Sequence, residues 1–212
     1  MAVALIPEAL LPERLGWALL CTASLAATIA LVWRWAKPNP GLLRVLLALI
    51  SPPVIMIVIN GQIDALIVSA VIRPAEWWPL VVTIKPQTAL ALALAVPRDR
   101  WVRAAVILSL LLFGFWPRPL LHSITAHSVH LTRGIQSVLW TLRLAIGAVL
   151  VAWGARQRDE RVLIAASPLL SPIDYVHSLY GAWMVLVSTL DRRFAVLLWV
   201  LFWAWFLVPK II

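Results

Sequence analysis

The chain has 212 residues, of which 63% are apolar and 13% are charged, and its formal net charge is +9. A soluble domain is about 45–50% apolar and about 25% charged, so this composition excludes an ordinary soluble protein. The basic residues lie in short gaps between apolar runs, which is typical of loops that meet anionic lipid headgroups and not of a nucleic-acid interface. We therefore predict an integral membrane protein whose partners include membrane lipids but no nucleic acid.

The first part of the chain predicts a surface segment followed by a membrane span. Residues 1–14 mix charged residues with Leu, Ile and Pro, which indicates a short interfacial segment. The run Leu15–Trp35 predicts a first transmembrane helix, because about 20 apolar residues cross the hydrocarbon core. The basic residues of the following Pro- and Gly-containing loop mark that side as cytoplasmic, and they are Arg34, Lys37 and Arg44.

The middle of the chain predicts a broken span and a re-entrant hairpin. The apolar run Leu42–Ile59 is interrupted by the pair Pro52–Pro53, and proline removes a backbone donor from a helix. Lys85–Pro86 divides the run Trp77–Val96 into two pieces of about ten residues, each covering roughly half of the hydrocarbon core. A hairpin that turns back at this point keeps the following arginines in the cytoplasm, so the positive-inside rule favours it over a full crossing.

The second half of the chain predicts further passes, some of them partial. They are Trp101–Trp116, Gln136–Trp153, Val162–Leu170, Leu179–Leu190 and Phe194–Val208. In this topology both termini are extracytoplasmic, and twelve of the 18 Lys and Arg residues lie inside, four lie outside and two lie within the membrane. The predicted fold is all-α and polytopic, with about six spans plus one re-entrant helical hairpin in a single domain, residues 1–212.

Several polar side chains fall inside these apolar segments. A charged residue near the bilayer centre costs about 2.5–3.5 kcal/mol on insertion scales, so it usually faces a bundle interior or a wet cavity. Lys85, beside a helix break, is placed either to bind an anion or to pair with Asp64. Arg143 lies about two turns inside its span and either binds an anion or extends to the outer interface. Asn60 and Gln62 either line a cavity or join helices through hydrogen bonds.

A metal site is not predicted. The spacing of His122, His127 and His130 matches no common ligand pattern, and no carboxylate lies among them. Cys21 is the single cysteine, which leaves no disulfide framework and no cysteine metal site. Most of the thirteen tryptophans fall at predicted span ends and indicate interface anchors.

Four segments in the same order resemble the C-terminal half of glycosyltransferase family 87, which comprises polyprenol-phosphate-mannose-dependent mannosyltransferases and relatives of the GT-C fold. The segments are NGQIDALI (60–67), IKPQTALALALAVPRDRW (84–101), GIQSVLWTLRL (134–144) and SPIDYVHSL (171–179). Together they cover most of the chain from about Arg44 onward. The resemblance implies a GT-C-like transmembrane half in a cell membrane, the inner membrane of a bacterium.

The resemblance also implies roles for individual residues. Lys85 and Arg143 would bind the donor phosphate, and Asp64 is the candidate within this chain for the catalytic base, although an ion pair with Lys85 would make it a poor one. Further polar residues would line the cavity, namely Asn60, Gln62, Gln87, Gln136, Ser137, Asp174 and His177. No cofactor is expected, and the bound ligand would be a polyprenyl phosphate or another lipid.

Two departures from the family pattern affect the functional prediction. Ile135 stands where the family usually has Asn before Gln-Ser. The family's acidic residue in the first extracytoplasmic loop has no counterpart, since Glu8 and Glu13 have a different context. Either this is a donor-binding half that needs a partner membrane chain, or it is a non-catalytic structural subunit of a larger membrane complex. A small transporter is a third alternative, and the absence of inverted repeats in the sequence counts against it.

Overall fold

The computed structural model describes residues 12–36, 38, 41–70, 91, 135–170 and 176–207. All regular elements in these ranges are helices, so the all-α prediction is confirmed for them. The chain divides into two compact units, residues 1–69 with 176–212 and residues 70–175. The prediction that residues 1–212 form one transmembrane domain stays a prediction.

The α-helices of the described residues are numbered in chain order. They are α1 (Glu13–Trp35), α2 (Leu42–Leu49), α3 (Pro52–Ile59), α4 (Asp64–Ala70), α5 (Ile135–Gln157), α6 (Glu160–Ala166), α7 (Tyr180–Thr189) and α8 (Arg192–Leu207). Two 3₁₀ helices, Ser167–Leu170 and Val176–Leu179, directly follow α6 and directly precede α7. The hairpin predicted around Lys85 and the pass Trp101–Trp116 lie outside the described residues.

The predicted first span, Leu15–Trp35, is helical in the structure, and its bounds agree with those of α1 to within two residues. One stripe of the helix is buried, at the helical spacing of three or four residues, and includes Leu20, Ser24, Thr28 and Leu31. The helix is 23 residues long and apolar enough to cross a membrane. Its length and hydropathy match those of a transmembrane helix, although a buried helix of a soluble protein can share both properties.

Helices α2 and α3 form a bent pair whose axes differ by 53°. The bend lies at the predicted proline pair, and its cause is local. In a continuous helix the Ala48 carbonyl would accept a bond from residue 52, but Pro52 has no N–H. Ser51 Oγ donates to this carbonyl over 2.7 Å and replaces the missing bond. Taken as one bent span, the pair is also long and apolar enough to cross a membrane.

Helices α7 and α8 form an antiparallel hairpin in the first unit. Helix α7 buries Trp183, Met184 and Val187, whereas α8 buries Ala195 alone among its residues. The Trp183 ring meets Phe202 edge-on, with ring centroids 5.3 Å apart. Large apolar side chains of α8 are exposed along its whole length, namely Phe194, Val196, Leu197, Val200, Leu201, Trp205 and Leu207.

In the second unit, α5 packs closely against α6 and the 3₁₀ helix that follows. A Cβ atom at Gly147 would lie 3.0 Å from the Cβ of Leu169, and one at Gly154 would lie 3.0 Å from the side chain of Leu163. Contacts of 3.0 Å are tighter than ordinary van der Waals contact, so a side chain at either position would crowd the facing helix. The two glycines are seven residues apart on one helix face and allow close helix approach, as small residues do in membrane bundles.

The junction between α5 and α6 is a tight turn stabilised by hydrogen bonds at both helix ends. The N–H of Asp159 donates to Gly154 O over 3.0 Å and the N–H of Arg158 donates to Ala155 O over 3.4 Å, which is the Schellman pattern. Arg158 takes the left-handed position of this motif at φ 55°. The Asp159 carboxylate accepts from the backbone N–H of Arg161 over 2.9 Å and therefore caps α6.

The Asp159 carboxylate should make the stability of this junction dependent on pH. Partial burial alone would raise the pKa of Asp159, but hydrogen bonds from the side chain and backbone of Arg161, and the charge of its guanidinium, hold this pKa below its ordinary value. Because the pKa of Asp159 is lowered in the folded protein, its carboxylate contributes to stability at any pH above the ordinary pKa of about 3.9. This contribution is lost as the pH falls through the folded-state pKa.

The measurement is the unfolding free energy of the wild type and of Asp159→Asn in detergent micelles from pH 7 to pH 2. Asn retains the cap but not the charge, so the wild type should be the more stable protein at neutral pH. This difference should shrink below about pH 4. A difference that is constant over the whole range would contradict the role of the charge.

Candidate functional site

The Asn60–Gly61–Gln62 segment, predicted to line a cavity or to join helices, forms the C-terminal cap of α3. The N–H of Gln62 donates to Ile57 O over 2.9 Å, and the N–H of Gly61 donates to Val58 O over 3.4 Å. This is a Schellman motif with Gly61 at its left-handed position, φ 58°. Asn60 is exposed at the end of the helix. The motif ends α3 and directs the chain into α4.

Asp64 follows this turn and is fully buried in the first turn of α4. Tyr180 of α7 is also fully buried. Thr28 donates its single hydroxyl proton to Ser24 O over 2.8 Å, so the 2.9 Å contact between Thr28 and Tyr180 is a hydrogen bond donated by Tyr180. The Thr28–Tyr180 bond therefore links α1 to α7, and Asp64 is a buried carboxyl group of the same unit that solvent does not reach.

Arg143 lies on the covered face of α5. Its side chain is half-buried and shares this face with Gly147 and Gly154, four and eleven residues further along. The opposite face carries exposed apolar side chains, namely Leu142, Ile146, Val149 and Trp153. The two predicted roles of Arg143, anion binding and extension to the outer interface, both stay predictions.

The remaining predicted site residues are placed only in part. Lys85, Gln87 and Asp174 lie outside the described residues. Gln136 and Ser137 lie in the first turn of α5, and His177 lies in the 3₁₀ helix before α7, but their side chains are outside the description. Among the described residues, no group of three or more His, Cys, Asp or Glu residues could hold a metal ion.

Arg44 has a role that sequence reasoning missed. The prediction that it belongs to a loop is wrong, since it lies in the first turn of α2, whereas its placement on the cytoplasmic side stays a prediction. Its guanidinium donates to the carbonyls of Val187, Ser188 and Leu190, the first and the last over 2.9 Å. These carbonyls lie at the end of α7, where the helix has no partners for them and its dipole is negative. Arg44 therefore caps a helix about 140 residues away in the sequence.

Trp199 and Trp203 make specific hydrogen bonds that the prediction of interface anchors did not include. Their Nε1 atoms donate to the carbonyl of Ile50 over 2.7 and 3.0 Å. Ile50 lies at the bend, just after the last residue of α2 and just before Ser51, which caps the start of α3. Its carbonyl is therefore at the end of α2, where helix carbonyls lack backbone partners within the helix. The spacing of four residues places both indoles on one face of α8. The two side chains therefore attach α8 to the bend.

Because both indoles share one acceptor, their removal should be non-additive. Either Trp199→Phe or Trp203→Phe leaves the Ile50 carbonyl with one donor, so each should cost well under 1 kcal/mol in the hydrogen-bond term. The double variant leaves the carbonyl without an indole donor and should cost about 0.5–1.5 kcal/mol more than the two single costs together, the contribution of one ordinary hydrogen bond. Unfolding in mixed micelles measures this cycle, with the exposed Trp17→Phe as control. Strictly additive costs would contradict the shared role.

Comparison with protein-family models, curated proteins and solved structures finds no match for this chain. The resemblance to glycosyltransferase family 87 therefore depends on its four sequence segments. Of these, NGQIDALI lies fully within the described residues. It provides the C-terminal cap of α3 and the buried Asp64. GIQSVLWTLRL contributes the half-buried Arg143.

Proposed function

We propose that this chain is a polytopic integral membrane protein with about six spans and a re-entrant hairpin, with both termini extracytoplasmic in a bacterial inner membrane. The span-length helix α1 and the bent pair of α2 and α3 support the membrane location. Helix α8 adds support, because its large apolar side chains are exposed over 16 residues. Exposed apolar surface of this extent marks a membrane or protein interface.

Within this membrane protein, we propose the donor-binding half of a glycosyltransferase of the GT-C type that uses a polyprenyl-phosphate sugar. The observation that carries the proposal is Arg143, a guanidinium on the covered face of an apolar helix. The planar fork of a guanidinium is suited to a phosphate, because it can form two parallel hydrogen bonds to the phosphate oxygens.

The proposed donor site belongs to the second unit. Lys85 would provide a second cation for the phosphate, and the polar residues nearer to the sugar would be Gln87, Gln136, Ser137 and Asp174. Asp64 is unsuited to act as the base, because its side chain is fully buried. The catalytic carboxylate would therefore come from a second membrane chain, and transfer would take place on the extracytoplasmic side.

Binding of undecaprenyl-phosphate mannose to the purified chain tests this proposal. Native mass spectrometry in detergent should detect the lipid on the wild type, and Arg143→Met should weaken its apparent affinity about tenfold or more, as expected for the loss of a charged hydrogen bond. Arg143→Lys should have an intermediate effect, because it keeps the charge but not the bidentate geometry. Arg156→Met is the matched control, since Arg156 is exposed at the end of the same helix. Equal binding by folded Arg143→Met and wild type would overturn the proposal.

The second candidate function is a non-catalytic structural subunit of a larger membrane complex. The observation that favours it is that two of the conspicuous segments serve to cap helices. The Gly61–Gln62 backbone caps α3, and the Arg44 guanidinium caps the end of α7. Such groups stabilise a scaffold without a ligand. This function predicts no binding of the polyprenyl phosphate to the purified chain, and co-purification with several other membrane subunits when the native protein is extracted gently.

A further inference from the structure

The Asn60–Gly61 pair carries a chemistry that the cap of α3 does not use. An asparagine followed by glycine is susceptible to attack within the chain, because the glycine has no side chain to hinder the approach of its nitrogen to the asparagine amide. The Asn60 side chain is exposed, so water and base reach it. The chain has one further asparagine, Asn39, which precedes Pro40, and the nitrogen of a proline carries no proton.

We propose that Asn60 is a site of spontaneous deamidation whose rate is set by the opening of the α3 cap. The Gly61 nitrogen loses its proton and bonds to Cγ of Asn60, the bond from Cγ to Nδ2 breaks, and ammonia leaves with the proton. Water then opens the five-membered imide at either of its two carbonyls, and nothing is oxidised or reduced. One opening gives an aspartate, and the other gives an isoaspartate whose main chain runs through the former side chain.

The closed cap holds the reacting atoms apart. The ring forms only when the Gly61 nitrogen turns about the Cα–C bond of Asn60 to the side of Cβ, but at ψ 3° it lies beside the backbone nitrogen of Asn60. This rotation breaks the 3.4 Å bond from Gly61 N–H to Val58 O. It also breaks the 2.9 Å bond from Gln62 N–H to Ile57 O.

The cost of these two bonds sets the expected rate. Two backbone hydrogen bonds of ordinary strength correspond to a closed cap about thirty times more populated than the open one. Helix ends open locally at lower cost than the whole chain unfolds, so the open cap is reached in the folded protein. Deamidation should therefore be slowed by the cap but not prevented.

The isoaspartate would change the turn more than the aspartate. Its main chain is one carbon longer between residues 60 and 61, so the N–H groups that follow lose their places in the cap. The turn packs against α1, since a Cβ at Gly61 would lie 3.7 Å from Cδ1 of Trp17 and 3.8 Å from Cδ2 of Leu20. The isoaspartate would therefore remove the cap and loosen this contact. The inference depends on the cap alone and is independent of sugar-donor binding.

Incubation of the purified full chain in detergent micelles, in a warm and mildly alkaline buffer, tests this site. Peptide mass spectrometry detects the replacement of the amide NH₂ by OH, and chromatography separates the aspartyl from the isoaspartyl product. A synthetic peptide of residues 57–65 gives the rate without a cap, because so short a segment forms no stable helix in water. Asn60 of the folded chain should convert about thirtyfold more slowly than the peptide, and Asn39 should stay unchanged.

The matched control is Asn60→Gln. The cap consists of backbone groups and should be kept, but the longer side chain would have to close a six-membered ring, so we expect no product at this position. Retention of Asn60 in the folded chain over about a hundred half-lives of the peptide would overturn the proposed site. Conversion of the folded chain as fast as the peptide would overturn the role of the cap, and equal conversion at Asn39 would overturn the attack by the Gly61 nitrogen.

Discussion

Replacement of Arg44 by Met should lower the unfolding free energy by about 3–5 kcal/mol. The guanidinium donates to three carbonyls at the end of α7, and a hydrogen bond from a charged group contributes about 1.5–3 kcal/mol. The contributions of three bonds to one side chain are not additive, so the expected loss is smaller than their sum. The measurement is equilibrium unfolding in mixed micelles, monitored by circular dichroism.

Two further variants separate the capping role of Arg44 from its charge. Arg44→Lys keeps the charge but not the planar fork, so it should lose an intermediate amount of stability. Arg14→Met removes an exposed arginine of α1 and should change the stability by less than about 0.5 kcal/mol. If Arg44→Met were as stable as Arg14→Met, Arg44 would not stabilise the end of α7.

Replacement of Gly147 by Leu should destabilise the second unit by about 2–3 kcal/mol. The added Cβ would lie 3.0 Å from the Cβ of Leu169 and from Cδ2 of Leu170, and 3.4 Å from the Leu169 carbonyl carbon. Two of these atoms belong to or adjoin the backbone of the 3₁₀ helix, so they cannot move away without moving that helix. Overpacking of this kind costs about 1–3 kcal/mol, and the rest of the leucine side chain adds to it.

The matched controls lie on the same helix. Ala148→Leu adds a comparable side chain to the exposed face and should change stability by less than about 0.5 kcal/mol. At Gly154 the new Cβ would lie 3.0 Å from Cγ and Cδ2 of Leu163 and 3.1 Å from Cγ1 of Val162, all of them side-chain atoms. Gly154→Ala should therefore cost less than Gly147→Leu, because a gain of about 1 kcal/mol in helix propensity partly offsets the crowding. Thermal unfolding of all three variants measures this order. An equal loss for Gly147→Leu and Ala148→Leu would contradict the close packing.

Much of the helical layout was predictable because it depends on local signals. The apolar run of α1 and the proline pair that bends α2 against α3 are properties of consecutive residues, and the structure places both within two residues of the prediction. The cap at Gly61 had a local signal as well, since Gly just past the end of an apolar helix indicates a left-handed C-terminal position. The prediction assigned the segment to cavity lining or interhelical hydrogen bonds and missed this cap.

The contacts made across the fold were not predictable from the sequence. Arg44 looked like a loop residue because it follows Pro and Gly, and its three acceptors lie about 140 residues later. The same is true of Trp199 and Trp203, whose partner is a carbonyl freed by a distant bend. Backbone carbonyls are present at every residue, so no sequence pattern shows which of them lack a partner. The orientation of Arg143 likewise depends on which face of α5 meets α6.

The most direct test of the proposed function is mass spectrometry of the native protein after gentle detergent extraction, with identification of everything that co-purifies. We expect a polyprenyl phosphate and one stoichiometric membrane partner that carries an acidic residue in its first outer loop. Co-purification of many subunits of an unrelated complex, without any polyprenyl phosphate, would contradict the proposal of a donor-binding half and identify the chain as a structural subunit.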